Sequence, residues 1–219
     1  MEKVKATTPV LDGTEIYDPV TEPAPLSITV IKPDPSTHGK VVKLSAIDQI
    51  APRDYVSMCL FFKLPRNADI RRVFRTLKIA LLNTVNDIPE LACCVQECTD
   101  NGRKEVELLF DADKGTEIHF KDYTSPELAD LWKFGSFEQL EREHFPLNKM
   151  PRHIIFGTSA KLTGGARLPC LVVQANFVPG GLILGSCMHV STNHTGFFVD
   201  FNNVHICPCH RKKGTVSGS

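Results

Sequence analysis

The residues best suited to chemistry cluster in one stretch, HVSTNHTG, which holds His189, Asn193, His194 and Gly196. An imidazole accepts a proton near neutral pH, so His189 is a candidate general base that activates a hydroxyl or amine as it attacks a carbonyl. Asn193 can hydrogen-bond backbone groups and hold a strand-to-helix turn in one geometry, while Gly196 permits close chain approach. The plain alternative is a capped polar turn with an incidental histidine.

Other clusters carry weaker signals. HICPCH places His205, Cys207, Cys209 and His210 together, but structural zinc sites use wider paired spacings, so we read a tail without a metal. Cys93, Cys94 and Cys98 fall in a strand-like run with no base identified beside them, and Cys187 reads as core packing. Gly164-Gly165 and Gly180-Gly181 are turn glycines without the lysine of a phosphate loop. Arg71, Arg72, Arg75 and Lys78 read as a solvated helix face, and Asp48 as a hydrogen-bonding partner of its own turn.

The elements that must position His189 follow from periodicity. In GLILGSCMH, alternation puts Ile183, Gly185, Cys187 and His189 on one strand face, so His189 is expected at the strand end, close to the surface. LPCLVVQANFV and HIIFGTSA read as strands, as do KVVKLSAIDQI, YVSMCLFFKL and IHFKDYT. Asp100-Asn101-Gly102 marks a hairpin. Ile70, Val73, Phe74, Leu77 and Leu81 recur at helical intervals, with Asn67 as N-cap and an end near Asp87-Ile88-Pro89. Ser125-Pro126 opens a further helix, SFEQLEREHF another or its continuation, and a last helix begins at Thr195. The fold class is α+β, a mostly antiparallel or mixed sheet with packed helices.

Three segments are expected: a proline-rich arm over 1–37, a lobe over 38–206 and an irregular tail over 207–219. With 219 residues, 42% hydrophobic, and 25 basic against 25 acidic side chains, the chain can bury a real core and carries no net charge. That balance gives no footprint for nucleic acid or an anionic membrane and favours small molecules or proteins as partners. The start lacks a signal-peptide core, and no long apolar run spans a membrane, so a cytoplasmic protein with reduced thiols is expected despite eight cysteines.

The stretch PCLVVQANFVPGGLILGSCMHVSTNHTG, with KLSAIDQI upstream, resembles the fungal acyl-CoA-dependent O-acyltransferases of the trichothecene 3-O-acetyltransferase-like branch of the BAHD superfamily. The likeness covers residues from about 40 to about 204 and rests on an HxxxDG motif followed by TG and on an LSxxDQ stretch. Two of the three diagnostic motif positions differ, since Asn193 stands for aspartate and His194 for glycine. A charge-assisted hydrogen bond is roughly twice as strong as a neutral one, so Asn193 should loosen the turn more than it alters the chemistry.

The resemblance implies a chloramphenicol-acetyltransferase-like single lobe, the first of the family's two. No DFGWG-like sequence of the second lobe occurs, and the family's acyl-CoA channel lies between lobes. It further implies transfer of an acyl group, acetyl first, from acyl-CoA to a hydroxyl of a small secondary metabolite. His189 is the base, Asn193, His194 and Gly196 support it, acyl-CoA is a co-substrate, and no cofactor or metal is held permanently. The rival expectations are a truncated, non-catalytic lobe and a subunit completed by a complementary chain.

Overall fold

The computed structural model describes residues 26–100, 102–158 and 165–190. Two sheets form its frame. The larger has five strands in the order β1 (Leu26–Ile31), β6 (Thr116–Asp122), β8 (Leu171–Val178), β9 (Gly181–His189) and β3 (Tyr55–Lys63). The smaller has four, β2 (Val41–Lys43), β5 (Arg103–Leu109), β4 (Cys94–Asp100) and β7 (Arg167–Pro169). Every pairing is antiparallel except β6 with β8, so the mixed, mostly antiparallel α+β expectation holds.

Each face of the large sheet has its own cover. On one, α2 (Ile70–Asp87) lays Phe74, Leu77, Leu81 and Val85 over Ile118, Phe120, Val173, Phe177, Leu182 and Met188. At about 1.5–3 kcal/mol per fully buried large apolar side chain, those four helix residues anchor α2 to the sheet. On the other, Trp132, Met150, Ile155 and residues of α3 (Phe137–Arg142) pack on Val178 and Ile183. The small sheet has a core of Cys93, Val95, Val106, Leu108, Phe110 and Cys170.

Several expectations change. Leu26–Ile31, in the stretch assigned by composition to the proline-rich arm, forms a strand that pairs with β6, because the stretch between Pro25 and Pro33 is free to donate to a ladder. KLSAIDQI is not all strand: α1 (Ala46–Ile50) is closed by a capping box between Ser45 and Asp48. Asp69, not Asn67, caps α2, accepting from the amides of Arg71 and Arg72 at 3.1 and 3.0 Å. After Ser125-Pro126 the chain makes only a 3₁₀ turn at Ala129–Leu131, since Asp122 holds the backbone of Thr124 in a turn. Of HIIFGTSA, residues 153–155 lie in α4 (Arg152–Ile155) rather than in a strand. The helix expected from Thr195 lies outside the described residues, as do most of the arm and the tail. Among the described residues no helix is long and apolar enough to cross a membrane.

Candidate active site

Strand β9 sorts its residues as alternation requires. Leu182, Leu184 and Met188 face α2, while Ile183 packs on the opposite side and Cys187 joins Tyr55 and Val172 there. His189 falls on the face of Ile183 and Cys187, at the last position of the strand.

Its surroundings correct one expectation. His189 is not near the surface: its exposure is 0%. The register sets it opposite Tyr55 on β3, whose ring meets the imidazole edge-on at 5.3 Å and 81°. The Tyr55 hydroxyl donates to the Pro169 carbonyl at 2.6 Å, and burial raises its pKa, so it remains a neutral phenol. The backbone amide of His189 donates to the Cys170 carbonyl at 2.9 Å, and that of Val190 to Asp54 at 3.0 Å. The strand end is therefore tied on both sides.

Burial lowers the His189 pKa to about 4; the Asp54 carboxylate opposes this shift and Arg53 adds to it. The imidazole is neutral at pH 7 and able to accept a proton. Low basicity weakens the driving force for proton transfer, while the correct protonation state is fully populated. Asn193, His194 and Gly196 lie outside the described residues, so the geometry concerns His189 alone among the motif residues.

A strap formed by residues 152–158 crosses this face of the sheet, held by groups that sequence reasoning passed over. Gln174 donates to the Ile154 carbonyl at 2.6 Å and to Asn176 Oδ1 at 2.7 Å, and Asn176 donates to the Ile155 carbonyl at 2.9 Å. Two polar residues at i and i+2 inside the apolar run LVVQANFV were the available signal, because buried amides need partners. At the strap's start Arg152 Nη2 donates to Ser57 Oγ at 2.7 Å, and Ser57 Oγ lies 3.3 Å from Cys187 Sγ. Burial raises the Cys187 thiol, in keeping with a packing role. Cys93, Cys94 and Cys170 are also buried with raised pKa values, which makes them poor nucleophiles.

The LSxxDQ stretch is structural. Asp48 completes the Ser45 capping box, and Gln49 takes both backbone groups of Val106, each at 2.8 Å, fixing α1 to β5.

The family model described as the trichothecene 3-O-acetyltransferase-like N-terminal domain matches residues 55–197. Acyltransferase cm3D of Cordyceps militaris is 32% identical over 168 residues, covering 75% of this chain and 35% of the relative. Acyltransferase easC of Emericella nidulans is 29% identical over 151 residues, covering 69% and 31%. The chain thus spans about a third of the length of these curated relatives. Among solved structures, Fusarium graminearum TRI101 without ligand superposes with a TM-score of 0.57 at 16% identity, covering 69% of this chain and 35% of that one. Fusarium sporotrichioides TRI101 complexed with coenzyme A and T-2 gives 0.54 at 21% identity, covering 69% and 36%. These superpositions establish the fold.

Proposed function

Because the chain belongs to the trichothecene 3-O-acetyltransferase-like N-terminal domain family, we propose that it supplies the base-bearing lobe of an acyl transfer. The donor is acyl-CoA, acetyl-CoA first, and the acceptor is a hydroxyl of a small secondary metabolite. The observation that carries this reading is His189, held neutral at the end of β9 inside the matched region.

The chemistry balances on one histidine. The neutral imidazole takes the proton of the acceptor hydroxyl as its oxygen bonds to the thioester carbonyl carbon. The tetrahedral intermediate collapses, the C–S bond breaks, and the imidazolium returns its proton to the departing coenzyme A sulfur. Asn193, His194 and Gly196 are the motif-supporting positions that follow His189 in the sequence. The reaction belongs to the cytoplasm, a reducing compartment suited to the free cysteines among the described residues.

A second reading makes this a non-catalytic lobe, or one completed by a complementary chain. The complete burial of His189 supports it, because a base without solvent access works only if its cover opens or is replaced. The test is acetyl transfer by the purified protein from acetyl-CoA to deoxynivalenol, the compound in a TRI101 complex, and to simple secondary alcohols. Release of free coenzyme A and product mass are the readouts. Transfer that disappears in His189→Ala supports the base; equal transfer by parent and variant removes it. Size-exclusion mass distinguishes a lone lobe from an assembled one.

A further inference from the structure

The acyl-transfer reading leaves the charge that develops on the carbonyl oxygen without a partner. We propose that Ser57 donates the hydrogen bond that receives that charge, with Arg152 as the residue that positions and polarises its hydroxyl; this rests on the acyl-transfer reading above.

Register gives the placement. Tyr55 stands opposite His189 and Ser57 opposite Cys187, so Ser57 and His189 occupy the same face as diagonal neighbours. Such positions lie about 7–8 Å apart. Side chains at such positions can reach one another, so a thioester bound on this face can meet both, with about 3 Å from the attacking oxygen to the carbonyl carbon and about 3 Å from the oxyanion to its donor.

The hydroxyl is prepared for that role. Arg152 Nη2 donates to Ser57 Oγ at 2.7 Å, which occupies a lone pair and leaves the hydroxyl proton to be aimed elsewhere. Its neighbour at 3.3 Å is Cys187 Sγ, a weak acceptor that a developing oxyanion outcompetes. A cationic donor on the oxygen also polarises the O–H bond. Arg152 is itself placed by α4 and by the Phe156 ring, 5.2 Å from its guanidinium carbon. Ser57 is half-buried and Arg152 exposed, so the pair borders solvent. No covalent bond to Ser57 forms, and its proton stays on its oxygen throughout.

The experiment measures acetyl transfer from acetyl-CoA to deoxynivalenol and to simple secondary alcohols by the parent, His189→Ala, Ser57→Ala, Ser57→Thr and Arg152→Gln. Loss of one oxyanion donor lowers kcat by about 10²–10³-fold. We expect that loss in Ser57→Ala with KM for acetyl-CoA nearly unchanged, recovery in Ser57→Thr, and a smaller fall in Arg152→Gln. Melting curves that match the parent identify the change as catalytic, and the exposed Arg152 supplies an independent variant if Ser57→Ala unfolds. Ser57→Ala with parental kcat, a loss confined to KM, or acetylated Ser57 by mass spectrometry overturns the proposal while leaving the function intact. A parent that transfers nothing overturns both.

Discussion

At the scale of the residue, His189 couples its own ionisation to folding. The folded imidazole titrates at about 4 and the unfolded one near 6.5, so between these values the unfolded chain binds more protons. The stability tied to its neutral, buried state is complete above about pH 6.5 and is lost as the pH falls toward 4. The full window is worth roughly 3 kcal/mol. Urea denaturation at pH 7 and pH 4.5 should therefore show a steep loss for the parent and a shallower one for His189→Gln. Identical losses would mean that other groups set the acid sensitivity. The same shift predicts an acid limb of kcat/KM near pH 4, below that of an ordinary histidine.

At the scale of the element, the strap 152–158 shows what sequence conveys and what it withholds. The long α2 was legible from its helical spacing, the hairpin joining β4 to β5 from Asp100-Asn101-Gly102, and the strands β8 and β9 from their apolar runs. HIIF was not: a short apolar run suits a strand or a helical turn, and here Pro151 begins α4 while the carbonyls of Ile154 and Ile155 meet the side chains of Gln174 and Asn176. His189 was legible as the strand's last residue, yet Tyr55 as its neighbour was not, since only the β3–β9 register brings them together. The register also explains Gly185, where an added Cβ would stand 2.4 Å from the Ile155 carbonyl oxygen. Gly185→Ala must push the strap off the sheet, an overpacking cost of about 1–3 kcal/mol. Urea denaturation checks this. An unchanged midpoint would show that the strap yields freely, and the strap carries the Arg152 bond to Ser57.

At the scale of the whole molecule, the two sheets meet beside His189. Residues 167–178 run from β7 in the small sheet into β8 in the large one, and Cys170 sits at the crossing. Its amide donates to the Cys93 carbonyl at 3.0 Å on one side, while its carbonyl accepts from His189 on the other. Tyr55 makes a second link, from β3 in the large sheet to the Pro169 carbonyl in the small one. Arg53 makes a third with Glu97 on β4, at 2.9 Å. Sheets joined by the chain through Cys170 and by these bonds should unfold in one transition. Tyr55→Phe keeps the ring against His189 and removes only the hydroxyl, so it should cost about 1–3 kcal/mol with an unchanged denaturant slope. Hydrogen exchange locates the effect. Amides of β4 and β5 should remain protected to the same free energy as those of β8 and β9 in the parent. If the small-sheet amides exchange at a lower free energy in Tyr55→Phe alone, the hydroxyl is what makes the two sheets unfold together. If they exchange at a lower free energy in the parent as well, the sheets are separate cooperative units, and His189 is anchored to only one of them.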